Sequence, residues 1–199
     1  MNNLNMYCIT IYNDHLDPIE KLGYKPVGLG DDIKSEKFIR DNTGINISKK
    51  NPFYGEYTFH YWLWKNYLHK IEDNKWIGFC GYRYFWKQNK EGKNEKKNIL
   101  KNIPSEWSNY EAIIADPQFV DNIKLSKIFK NAGLSFLLDQ RTYLKKKQNI
   151  KFHFQVFHGK DSLDEAISLL DDENREPFRD YVNEEKSFHK WNMFVCRSK

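Results

Sequence analysis

The chain of 199 residues carries 32 Lys and Arg against 27 Asp and Glu, a formal charge of +5, together with 14 Phe, 12 Tyr and 6 Trp. A chain of this length and ring content can bury a core without covalent staples, which excludes disorder for most of it. The basic excess comes from 26 Lys and only 6 Arg mixed with acids, so it reads as a solvated surface and argues against nucleic acid as a partner, while no apolar stretch reaches the ~18 residues of a membrane span.

The start Met1-Asn2-Asn3-Leu4-Asn5 is polar and lacks a signal-peptide pattern. Residues 6–12, β-branched and aromatic, predict a first buried strand ending at Asn13-Asp14. A short helix through Ile19 and Leu22 follows. Gly23, Pro26, Gly28 and Gly30 then punctuate the chain, and residues 35–40 predict a short helix capped by Ser35. The polar run from Asp41 to Pro52 reads as a loop. Residues 54–72 predict the strongest helix, with Tyr57, Phe59, Tyr61, Leu63, Trp64, Tyr67 and Leu68 on one apolar arc and Thr58, Trp62, Lys65, Asn66 and His69 opposite. Glu56 and His60 fall inside that arc, one turn apart. Two readings stay open for them: a helix-start carboxylate with a satisfied histidine, or a polar pair facing a cleft.

Residues 75–86 predict a second strand, in which Gly78 and Gly81 would let something approach the backbone. Residues 87–101 are charged without an apolar period, a surface excursion. Residues 111–115 predict a third strand before Asp116-Pro117, residues 124–131, 162–170 and 173–182 read as helices, and 133–151 are ambiguous. Residues 193–196 form a last short strand. Strands alternating with helices give an α/β protein whose ligands sit at strand ends, here a single domain over residues 1–199. Cys8, Cys80 and Cys196, odd in number and each in an apolar run, fit reduced thiols in a cytoplasmic protein.

Glycine-rich dinucleotide and phosphate loops, CxxC, HExxH and GxSxG are all missing, as is any Asp-x-Asp that would hold a divalent metal beside a diphosphate. No cofactor or metal is expected. What remains is a loop rich in donors, Thr43, Asn46, Ser48, Lys50 and Asn51, running into an aromatic helix, and a strand that delivers Tyr82 and Arg83. Guanidinium and amide donors suit phosphate oxygens, and flat rings suit a base or sugar. Arg83 could equally be a surface ion-pair partner.

The blocks Leu22-Gly23-Tyr24-Lys25-Pro26-Val27-Gly28-Leu29-Gly30, Asp41-Asn42-Thr43-Gly44-Ile45-Asn46-Ile47-Ser48 and Asn51-Pro52-Phe53-Tyr54-Gly55-Glu56-Tyr57-Thr58-Phe59-His60 resemble a bacterial family catalogued as a domain of unknown function, found among capsule, exopolysaccharide and lipopolysaccharide glycosyltransferases. The strand through Gly81-Tyr82-Arg83, the stretch Phe157-His158-Gly159 and the ending Trp191-Asn192-Met193-Phe194-Val195 are like that family's later blocks. The resemblance implies a GT-A-like domain, a mixed, mostly parallel sheet flanked by helices. It implies a sugar transferase using a nucleoside diphosphate sugar, with UDP favoured, and a surface-glycan or lipid-linked acceptor. Thr43, Asn46, Ser48, Lys50, Asn51, Glu56, Tyr61, Trp64, Tyr82, Arg83 and Asn192 would then line the donor site, with Arg83 replacing a metal. His158 completes the sugar end, and Asp116, Asp161 and Asp164 are candidates for a base, each also explicable as a turn or cap residue. The family continues past the asparagine-bearing strand, so a C-terminal truncation is expected. The alternative is a non-catalytic nucleotide- or glycan-binding scaffold. Lys145-Lys146-Lys147 offers a small patch for peripheral contact with the inner face of a membrane.

Overall fold

A computed structural model describes residues 4–89, 98–133, 137–138, 148–159 and 161–198. Lys145 to Lys147 and Met1 to Asn3 lie outside the described residues. The chain forms two compact units, one of Met1–Ala115 with Trp191–Lys199 and one of Asp116–Lys190.

The first unit is built on a six-stranded sheet, with β1 Leu4–Thr10, β2 Lys25–Gly28, β3 Ile39–Arg40, β4 Trp76–Gly81, β5 Ala112–Ile114 and β8 Phe194–Arg197 in the order β3-β2-β1-β4-β8-β5. The first four strands are mutually parallel, and β8 and β5 add antiparallel pairs. The fold is therefore α/β with a mixed, mostly parallel sheet. β1 lies inside the sheet and both its faces are covered, which is why it is apolar almost throughout. Leu4, Met6 and Cys8 face one core with Ile19, Tyr24, Trp76, Cys80, Leu100 and Val195. Tyr7 and Ile9 face the other with Val27, Phe59, Leu63, Ile77 and Phe79.

Residues 23–30 hold a strand rather than a punctuated loop. Gly28 permits it: a Cβ there would stand 2.6 Å from Ile33 Cγ2 and 3.1 Å from Phe38 Cγ, two buried side chains. Residues 35–40 form a turn leading into β3 instead of a helix, because Phe38 is drawn into the core and Arg40 donates to the Gly30 and Ile33 carbonyls. The space beside Gly78 is filled by Met6 and Val195, so that glycine serves core packing. Gly81 alone of that pair faces open space.

The helix expected over 54–72 is interrupted. After α1 Leu16–Lys21, α2 Asn51–Tyr54 ends at Gly55, whose φ of +52° belongs to the left-handed region, and α3 runs Tyr57–Asn66. Its buried face holds Thr58, Phe59 and Leu63, with Trp62 packed alongside, while Tyr57 and Trp64 point outward. The apolar arc is thus rotated from the one expected, because amphipathic rings can stay at the surface where a threonine cannot be told from its neighbours by hydropathy. The excursion over 87–101 also ends inside: Leu100 is fully buried and its carbonyl accepts the Tyr24 hydroxyl at 2.7 Å.

The second unit contains the β6–β7 pair (Gln118–Phe119, Ser187–Phe188), α4 Leu125–Ala132, α5 Ile150–His158, α6 Ser162–Ser168 and α7 Asp172–Glu184. The α5 sequence Ile150, Phe152, Phe154, Val156 alternates with a strand-like period of two, which conceals a helix. Two stripes resolve it: Ile150 and Phe154 pack with Leu163, Ile167 and Val182, whereas Phe152 and Val156 pack with Ile128 of α4. Asn149 and Asp171 cap α5 and α7 through the Phe152 and Asn174 N–H groups.

Candidate functional site

In the first unit the chain passes from β1 outward to β2 and β3, then returns to β4 on the other side of β1. Such a reversal leaves a crevice beyond the carboxyl ends of the strands. A cleft of about 360 Å³ occupies that place, walled by Ile9 to Ile11 at the end of β1, Cys80 to Tyr84 at the end of β4, and Trp191 to Met193 before β8. Asn51, Gly55 and Glu56, where α2 gives way to α3, close another side.

Arg83 is exposed, and its guanidinium carbon lies 5.0 Å from the centre of the Tyr82 ring. No carboxylate pairs with it among the described residues. Tyr82 itself is fixed edge-on against Tyr12 at 5.3 Å and tilted on His15 at 4.6 Å. Thr10 Oγ1, buried at the strand end, accepts the Tyr12 N–H at 3.1 Å and hydrogen-bonds His15 Nδ1 at 2.8 Å. Tyr84 packs on Trp191 with ring centres 4.0 Å apart. Opposite, Asn192 accepts the Tyr57 hydroxyl at 2.8 Å and donates to Glu56 at 3.5 Å. Among the described residues Glu56 is the only carboxylate lining this cleft.

Glu56 and His60 thus part company. Glu56 faces the cleft, whereas His60 packs edge-on against Phe79 at 4.6 Å and Phe194 at 5.5 Å, with Nε2 buried and without a partner. Burial pushes its pKa down to about 4, with the Glu56 charge opposing. The ring is neutral at pH 7 and behaves as core.

Of the residues named from sequence, the fold gathers Asn51, Glu56, Tyr82, Arg83 and Asn192 around the cleft. Thr43 instead accepts the Trp62 indole N–H, through its carbonyl at 2.9 Å and its hydroxyl at 3.0 Å. Asn46 folds back on Gly44 and Ser48, and Lys50 lies over Tyr54 at 5.7 Å. Tyr61 and Trp64 meet edge-on on the outer side of α3, with Lys65 over both rings. Asp116, His158, Asp161 and Asp164 belong to the second unit. There Asp164 is engaged by Lys151 at 2.7 Å, Asp161 precedes α6 with a φ of 70°, and His158 stacks on Phe154. Thr10, Tyr12, His15, Tyr84 and Trp191 went unnamed. The rule that ligands sit at strand ends, applied to the end of the first predicted strand, would have found Thr10 and its neighbours.

Residues 8–199 match the family described as Domain of unknown function (DUF4422). The chain belongs to this family. The DUF4422 match takes in every residue that lines the cleft. A solved structure described as the WbbM bifunctional glycosyltransferase in its apo form aligns with 98% of this chain at 18% identity and a TM-score of 0.45. The DUF4422 chain spans about a third, 34%, of that protein's length. No curated protein matches it. Among the described residues no helix is long and apolar enough to cross a membrane.

Proposed function

We propose that the strand-end cleft binds a nucleoside diphosphate sugar, with UDP as the carrier, and transfers the sugar to a hydroxyl of a surface glycan or its lipid-linked precursor. One observation carries the reading: a guanidinium with no carboxylate partner among the described residues, set on a fixed tyrosine ring, stands at the carboxyl end of β4 where the strand order reverses. Planar donors of this kind bind phosphate oxygens in pairs, and such crevices collect nucleotides. In the transfer, the bond from the anomeric carbon to the diphosphate oxygen breaks as the bond to the acceptor oxygen forms. Arg83 stabilises the charge left on the diphosphate, replacing a divalent metal. Glu56 takes the acceptor proton, and Asn192, held by the Tyr57 hydroxyl, orients it. A lipid-linked acceptor would bring the chain to the inner face of the membrane.

A screen of nucleoside diphosphates by thermal shift, followed by a product assay with UDP-sugars, tests the reading. A raised melting temperature with UDP and turnover that survives chelation are expected. Turnover abolished by chelator and restored by manganese would remove Arg83 from its assigned role. A second reading, binding without turnover, is favoured by the lining of the cleft, in which Arg83 is the single cation among the described residues and leaves a diphosphate incompletely neutralised. Calorimetric binding of UDP with no product formed from any donor would decide for it.

A further inference from the structure

A separate cavity of about 280 Å³ lies within the second unit, between the loop after β6 and the facing sides of α4 and α5. Lys124 and Lys127 line it, and neither ammonium meets a carboxylate among the described residues. Among the described residues no acid lines the cavity; Asp121, nearby, is hydrogen-bonded by the Asn122 side chain at 3.2 Å. Phe119, 69% exposed, and Phe157, 39% exposed, present ring faces that the core does not use. His153, stacked on Phe157 at 4.6 Å, has its Nδ1 buried without a partner. Its pKa is lowered by burial and then by the charges of His158 and Lys190, so the imidazole is neutral at pH 7 and the surrounding field is positive.

These groups ask for different things of one ligand. Two ammonium groups without a carboxylate partner among the described residues call for an anion. Open phenyl faces call for a flat apolar surface such as the C–H face of a sugar ring. Inorganic phosphate would satisfy the lysines alone, and a neutral hexose the rings alone. We propose that this pocket binds a sugar residue bearing a carboxylate, a uronic acid within a glycan chain. The carboxylate lies between Lys124 and Lys127, and the ring rests on Phe119 or Phe157.

The inference deepens the transferase reading by naming an acidic glycan as the acceptor class, and for that meaning it rests on it. The two can fail separately, because UDP-sugar turnover reports on the strand-end cleft and glycan binding reports on this pocket. Calorimetry on the intact chain compares an oligogalacturonate, a neutral maltooligosaccharide of equal length and inorganic phosphate. The acidic sugar should bind at least about tenfold tighter than either of the others. The double variant Lys124→Glu/Lys127→Glu should lose at least about tenfold of that affinity with its melting temperature unchanged, since both side chains are exposed. Phe119→Ser should weaken binding of the sugar by a smaller factor. Equal affinity for the neutral sugar, displacement of the acidic sugar by phosphate at the same or lower concentration, undiminished binding in the double variant, or no binding at all would each overturn the proposal.

Discussion

The loop over residues 41–50 and the strand-end cleft are the two parts of the first unit richest in groups that could hold a phosphate, yet they use them in opposite ways. In the loop the donors and acceptors are turned inward. Thr43 takes the Trp62 N–H, Asn46 closes a turn on Ser48, and the Asn66 amide pairs with both the N–H and the carbonyl of Ile45, at 2.9 and 2.8 Å. In the cleft Arg83 is stacked but unpaired, and Glu56 has only a long contact at 3.5 Å. Residue type marks both regions as sites. Hydrogen-bond pairing separates the one whose groups hold the fold from the one whose groups are left largely unpaired among the described residues.

The largest effect should come from the cleft. Arg83→Ala is expected to lower UDP-sugar turnover by roughly 10²- to 10³-fold, the range found when a donor to a developing negative charge is removed. Because the side chain is exposed, the melting temperature should not move. Undiminished turnover would break the contrast at its stronger end.

The loop should answer in stability instead. Gly44 has a φ of +55°, and a Cβ there would lie 2.2 Å from Asn66 Oδ1. Gly44→Ala therefore combines left-handed strain with displacement of the Asn66 clamp, a loss on the order of 2–3 kcal/mol in urea titrations. Asn66→Ala should reproduce the part due to the clamp, about 1–2 kcal/mol. If Gly44→Ala leaves stability intact and removes UDP binding, the loop belongs to the site after all.

Why the sequence led to one region and not the other follows from what each physical signal can report. The strands over residues 4–10 and 76–81 announce themselves because both faces are buried, so every position is under the same demand. β2 does not, since Pro26 and Gly28 are strand breakers by propensity and become acceptable only once Ile33 and Phe38 are packed over the glycine. The rings of α3 point the wrong way for a similar reason: hydropathy ranks Trp64 above Thr58, but Thr58 is buried and hydrogen-bonded to the Gly55 carbonyl at 3.0 Å, while Trp64 is 58% exposed under Lys65. Arg83 and Glu56 were legible as candidates from their place at element ends, and both line the cleft. Which loop groups were already paired was not, because Trp62 and Asn66 reach Thr43 and Ile45 across about twenty residues of sequence, and only the folded geometry brings them together.

α3 joins the two regions, with Glu56 at one end and Asn66 at the other, and His60 between them makes its stability depend on pH. The folded pKa of about 4 lies below the ordinary value near 6.5, so the unfolded chain takes up a proton first as pH falls. The stabilisation is fully present above pH 6.5 and is lost progressively down to pH 4. At pH 5 this loss should amount to about 2 kcal/mol relative to pH 7.5. His60→Phe keeps the ring contacts with Phe79 and Phe194 and should flatten that part of the profile. An unaltered slope in the variant would assign the acid sensitivity to other groups.

The smallest effect is the most discriminating. Lys50 carries the same charge as Arg83 and sits on the same polar run that leads into α2, but its ammonium lies over the Tyr54 ring and it does not line the cleft. Lys50→Ala should therefore change UDP affinity by less than about twofold, as expected for an exposed charge acting through solvent. Arg83→Ala, measured beside it, should cost far more at equal change in net charge. The pair removes the general effect of losing one cation and leaves only position, so a loss of tenfold or more in Lys50→Ala would place the loop's cation on the phosphate and redraw the boundary between the two regions.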